Sequence, residues 1–157
     1  MRLFFASWPP PALARVLARW AREAQQHCGG HATAEEKIHL TLAFLGAAEP
    51  GAAQATARQA RRAASSFPLT EARYWARNRI VWVGPEQCPA ALAALASDLG
   101  EKREFAAHVT LIRKSHVPQR LPPLPALEWP VREFLLVRSD LSPQGSRYAV
   151  LERYPLG

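Results

Sequence analysis

His39 and Thr41 stand two residues apart in the apolar run KIHLTLAFLG (37–46), and His108 and Thr110 repeat the arrangement in EFAAHVTLIRK (104–114). Side chains alternate faces along a β-strand, so each histidine shares a face with its threonine. Leu40 and Leu42 pack behind the first pair, Val109 and Leu111 behind the second. One such pair is commonplace, because threonine suits strands and a lone strand histidine is usually a hydrogen-bonded structural residue. Two copies in matching apolar strands argue for chemistry. An imidazole titrates near pH ~6.5, so two rings facing one ligand can divide the work of acid–base catalysis. The neutral ring takes a proton from an attacking water and the charged ring gives one to the leaving oxygen. The two hydroxyls can donate to the non-bridging oxygens of a phosphate held between them.

Other chemistries lack their residues. Zinc needs three or four ligands, and His27, His31 and His116 form no close cluster with cysteine or carboxylate, so no metal is expected. There is no G-x-S-x-G nucleophile turn and no phosphate-cradling glycine loop, and no cofactor is expected. Cys28 and Cys88 have neither ligand spacing nor disulfide density and read as free thiols. Net charge is +7 and 17 of the 20 basic residues are arginine, which favours a polyanionic partner, although bias in an Ala-, Arg- and Pro-rich chain would give the same count. The longest apolar runs are too short to cross a bilayer. MRLFFASWPPP does not read as a signal peptide, so a cytoplasmic address is expected.

The elements that must position the two pairs occur twice. RLFFASW (2–8) reads as a strand, PALARVLARWAREAQQHCGG as a helix with a Gly-Gly stop, and 37–46 as the first His-x-Thr strand. RIVWVG (79–84), CPAALAALASDLG and 104–114 repeat strand, helix and His-x-Thr strand. This order reads as an internal duplication of two related lobes that share a groove. Between the rounds, residues 50–66 are expected to form an outer helix with Arg58, Arg61 and Arg62 solvated. A proline-rich connection then leads to two strands, 131–141 and 145–156, joined by an SPQG hairpin turn. Phe5 and Trp82 occupy matching early-strand positions and are candidates to stack on a base, with core packing as the plainer reading. Arg2 and Arg79 could guide a phosphate backbone or be solvated strand ends. His116 reads as a loop residue, and His27 and His31 as surface residues.

With RLFFA, HLTLAFLG (39–46) and HVTLIR (108–113) in view, the chain resembles the LigT-type RNA 2',3'-cyclic phosphodiesterases of the two-histidine phosphoesterase superfamily, in layout over nearly its whole length. The resemblance implies an α+β, bilobal fold: two pseudo-symmetric lobes with antiparallel sheets lining a central groove, helices outside, in a single domain spanning 1–157. It implies hydrolysis of a terminal 2',3'-cyclic phosphate to a 2'-phosphate without metal. His39 would be the general acid for the 3' oxygen, His108 the base for water, and Thr41, Thr110 and Arg113 the phosphate holders. The implied partner is RNA with a 2',3'-cyclic phosphate end or a related nucleotide, met by a monomer with no membrane attachment. Relatives that act on small nucleotide cyclic phosphates or 2'-5' linkages, and a non-catalytic RNA-end-binding module, are the alternatives. Relatives commonly carry proline where this chain has Ala107, a difference expected to alter the strand's entry. Strict alternation puts Arg113 on the face opposite His108, so its role requires a twist, a bulge or an early end to the strand.

Overall fold

In a computed structural model, residues 2–157 are described. The fold is α+β, with every strand pairing antiparallel. One four-stranded sheet has the order β10-β9-β1-β3, built from β1 (Arg2–Ser7), β3 (Leu40–Ala47), β9 (Glu133–Ser142) and β10 (Gly145–Pro155). The other has the order β2-β7-β6-β5, built from β2 (His31–Ala32), β5 (Glu71–Trp75), β6 (Ile80–Gly84) and β7 (Val109–Arg113). A two-stranded ribbon pairs β4 (Ser65–Pro68) with β8 (Glu128–Val131).

Helix α1 (Pro11–Cys28) starts on a proline whose missing N–H costs nothing at that position, and stops at Gly29, with φ +64°. Its buried residues Leu13, Leu17, Trp20, Ala21, Ala24 and Cys28 recur at helical spacing. That stripe packs on β2 and β7, so the helix leaving the first sheet covers the second. Helix α3 (Ala90–Asp98) follows β6 of the second sheet and packs on β3 of the first. The two strand-helix-strand units are therefore interleaved. Leu3, Phe5, Leu40 and Leu42 of one sheet share one core with Val81, Val83, Val109 and Leu111 of the other.

Helix α2 (Pro50–Gln59) is shorter than the expected 50–66. Only Ala53 and Ala57 are buried on it, and past Ala60 the main chain turns extended. Arg61 then binds Asp98, its backbone N–H at 3.1 Å and Nε at 2.6 Å. Arg62 is not simply solvated, since its guanidinium lies 5.4 Å from the Phe134 ring centroid and 5.3 Å from that of Tyr154. The expected hairpin is present: β9 and β10 join at Ser142–Gly145, where Gly145 takes φ +109°.

Candidate active site

The two histidines are set by the same local device. Each stands one residue ahead of its strand, not inside it, because β3 begins at Leu40 and β7 at Val109. His39 Nδ1 lies 2.7 Å from the Lys37 carbonyl and His108 Nδ1 2.8 Å from the Ala106 carbonyl. In both cases the partner is the carbonyl two residues back. A carbonyl oxygen only accepts, so each ring carries its proton on Nδ1 and keeps Nε2 for chemistry. His39 Nε2 is 3.1 Å from Thr41 Oγ1, whose hydroxyl donates to it in the neutral ring. His108 Nε2 has no protein hydrogen bond among the described residues.

Thr41, Thr110 and Arg113 join the histidines around one cavity of about 600 Å³. Arg113 gets there through a bulge. In the pairing of β6 with β7, Val81 faces Ile112 and Trp82 faces Thr110, so Leu111 is an extra residue. Leu111 and Ile112 are both buried, the alternation slips by one, and Arg113 emerges on the side of His108 and Thr110. β3 does the same against β1, where Phe5 faces Ala43 and Ala6 faces Thr41, leaving Leu42 as the extra residue. Each bulge lies three residues after its histidine. The counterpart of Arg113 is Phe44, 56% exposed, with the Arg2 guanidinium 5.6 Å from its ring centroid.

Aromatic rings wall each histidine. Trp8 stacks on His39 with centroids 4.7 Å apart and planes at 18°, and Phe4 and Tyr148 close two further sides at 5.3 and 5.4 Å. Trp75 lies 4.7 Å from His108 and Trp82 6.2 Å. This burial is the main reason the His39 pKa falls from 6.5 to about 4; the Lys37 carbonyl opposes the fall, while Arg113 and His108 add to it. Burial and then Arg113 also lower the pKa of His108. Both shifts favour the neutral form of each ring over one neutral and one charged.

Phe5 and Trp82 are not in matching positions. The register makes Phe5 the equivalent of Val81 and Ala6 that of Trp82, so Phe5 lies in the core edge-on to Phe134 while Trp82 borders His108. Arg79 is exposed and braces the end of β7: its Nε donates to the Ser115 carbonyl at 3.2 Å and its Nη2 to that of Lys114 at 3.3 Å. His116 packs on Gly29 in a loop, as expected. His31 is exposed, as expected, and also lines the cavity, because β2 pairs with β7 and sets His31 across from Arg113. Lys37, Lys114 and Tyr148 also line it and were not anticipated. Lys37 and Lys114 flank the motifs at offsets −2 from His39 and +1 from Arg113, which is the signal sequence reasoning had available. Among the described residues, no three His, Cys, Asp or Glu side chains form a group that could hold a metal ion.

A family model described as LigT like Phosphoesterase matches residues 8–82, which include His39 and Thr41. An RNA 2',3'-cyclic phosphodiesterase of Escherichia coli is 32% identical over 170 residues, covering 99% of this chain and 96% of that protein. One of Thermus thermophilus is 31% identical, covering 99% and 90%. The crystal structure of E. coli LigT complexed with 3'-AMP superposes with a TM-score of 0.84 at 29% identity, over 99% of this chain and 97% of that one.

Proposed function

The chain belongs to the LigT-like phosphoesterases, and on that premise we propose that it is an enzyme hydrolysing RNA 2',3'-cyclic phosphates, with His39 and His108 as its acid and base. The observation that carries the assignment is the shared geometry of the two histidines. Both have Nδ1 held by a main-chain carbonyl, Nε2 left for chemistry, and a threonine beside them on the same cavity.

The cyclic phosphate sits between the rings, its non-bridging oxygens taking hydrogen bonds from Thr41 and Thr110 and charge from Arg113. His108, whose Nε2 is free, accepts a proton from water as the water attacks phosphorus. The bond from phosphorus to O3' breaks in line, and O3' takes the proton from His39 Nε2. A 2'-phosphate and a 3'-hydroxyl result, and exchange with solvent returns both rings to their starting states. No step needs a metal. Burial favours neutral His39, and the anionic phosphate supplies the charge that draws a proton onto it.

Both motifs come from one chain, so a monomer suffices, and residues 1–157 act as one catalytic domain, residue 1 lying outside the described structure. The free thiols of Cys28 and Cys88 suit a reducing, cytoplasmic setting, and among the described residues no helix is long and apolar enough to cross a membrane. The test is an oligonucleotide ending in a 2',3'-cyclic phosphate, incubated with and without EDTA. The expected product carries a 2'-phosphate and forms equally fast in both. A 3'-phosphate product, or arrest by the chelator, contradicts the proposal.

A further inference from the structure

We propose that the catalytic cavity contains a second phosphate subsite, formed by His31, Lys37 and Lys114, which takes the phosphate on the 5' oxygen of the terminal nucleotide. The inference rests on the proposed function and extends it from the reacting group to the substrate around it.

The charge balance of the cavity points to a second anion. A cyclic phosphodiester carries one negative charge, and the two histidines, two threonines and Arg113 already serve it. Lys37 and Lys114 line the same cavity, with His31 on the strand next to Arg113, and no carboxylate lines it. Among the described residues neither lysine has a carboxylate partner within 4 Å. The chain has three lysines against 17 arginines, and two of the three stand here. The groove on the far side of His108, which Arg113 and Lys114 also border, differs: it holds Arg77 and Arg103 but also Glu101 and Glu104, so its charge is partly answered by the protein. Uncompensated cations in a concave site hold anions more strongly than the same cations on open surface. Ser146 also lines the cavity and adds a hydroxyl group, whereas the Thr33 hydroxyl is committed as donor to the Thr110 carbonyl at 3.1 Å.

The backbone fixes the three residues relative to the catalytic phosphate. The Lys37 carbonyl orients His39, Lys114 follows Arg113 directly, and His31 pairs with Arg113 across β2 and β7. Lys114 has φ +54°, a left-handed conformation held by the bond from Arg79 to its carbonyl. A ribose whose 2' and 3' oxygens lie between His39 and His108 has its 5' oxygen as the remaining attachment point for a phosphate. That phosphate is an internucleotide diester in an RNA strand or a monoester in a 5'-phosphorylated mononucleotide.

The test compares kcat/KM for three substrates: a nucleoside 2',3'-cyclic phosphate with a free 5'-hydroxyl, its 5'-phosphorylated form, and a dinucleotide ending in the same cyclic phosphate. A preference of about tenfold or more for either phosphorylated form at low salt is expected, chiefly through KM, shrinking as salt rises. The variant combining His31→Gln, Lys37→Gln and Lys114→Asn is expected to bring the ratio close to one; asparagine tolerates the positive φ at 114. Which form gains tells a diester-bearing strand from a free monoester, and either gain supports the subsite. A ratio near one in the unaltered enzyme, or one the triple variant leaves unchanged, overturns it. A binding arm separates this from the proposed function: a nucleoside 2',5'-bisphosphate against the 2'-phosphate, by calorimetry. Tighter binding of the bisphosphate, lost in the variant, supports the subsite even if no cyclic ester is turned over. Equal binding of the two overturns it.

Discussion

Trp8 lies flat against His39, ring centroids 4.7 Å apart, and donates its indole N–H to the Glu36 carbonyl at 3.0 Å. It therefore covers the His39 ring and also braces the short segment ahead of it. Lowering the His39 pKa from 6.5 to about 4 corresponds to roughly 3 kcal/mol against the imidazolium. Attraction of an imidazolium to an indole face returns about 2 kcal/mol at a desolvated site. Shielding from water outweighs it. Trp8→Leu is accordingly expected to raise the His39 pKa toward 6.5, measured by NMR titration of the ring protons. A pKa that falls or stays near 4 would show that the stack stabilises the charged form.

The pH profile follows from the same shifts. The active enzyme has one ring protonated and one neutral, a form most populated between the two apparent pKa values of the pair. Both are lowered below 6.5 in the free enzyme, so the kcat/KM profile is expected to be a bell centred below pH 6.5. Bound phosphate draws protons onto the rings, so the kcat profile is expected at higher pH. Superimposed profiles, or a kcat/KM optimum above pH 7, would contradict this.

Thr41→Val and Thr110→Val keep the shape of the side chain and remove the hydroxyl. Each is expected to lower kcat by about 10²-fold, the size found for loss of one donor to a developing oxyanion. Thr41→Val also removes the partner of His39 Nε2, so it alone is expected to displace the pH profile. Steady-state kinetics across pH separate the two. Equal, pH-independent losses would mean that the Thr41–His39 contact is incidental.

Gly84 tests how closely the entry of β7 must be held. A Cβ there would lie 2.6 Å from the carbonyl oxygen of Ala107, the residue before His108. Gly84→Ala must displace that backbone and is expected to cost about 1–3 kcal/mol, read by thermal melts, together with a fall in kcat. Gly46→Ala strains a φ of +64° but has nothing within 4 Å of the added carbon, so it is the control: a loss of stability without the displaced β7 entry, and without the fall in kcat. Wild-type turnover in Gly84→Ala would show that the entry tolerates movement.

Much of this architecture was legible because it is periodic. The α1 stripe from Leu13 to Cys28, the paired His-x-Thr segments and the Gly145 turn all follow from local spacing. Features imposed by neighbours were not. The extra residues Leu42 and Leu111 exist only in the registers with β1 and β6, and they decide where Phe44 and Arg113 point. Past the early end of α2, Arg61 binds Asp98, 37 residues away in sequence, which local spacing does not reveal. His31 enters the cavity on a two-residue strand, too short to show any period. Both imidazoles were expected near their ordinary pKa, because sequence does not reveal that Trp8, Phe4 and Tyr148 surround one of them.

The division of labour between the two histidines is the central claim, and a substrate with sulfur in place of the bridging 3' oxygen tests it most directly. A thiolate leaves without protonation, so the general acid becomes unnecessary while the base is still required. His39→Ala and His108→Ala are each expected to lose about 10²–10⁴-fold on the ordinary cyclic phosphate. On the 3'-thio substrate, His39→Ala is expected to return close to wild-type rate and His108→Ala to remain impaired. Rescue of His108→Ala instead would reverse the roles, and rescue of neither would contradict acid–base catalysis by this pair.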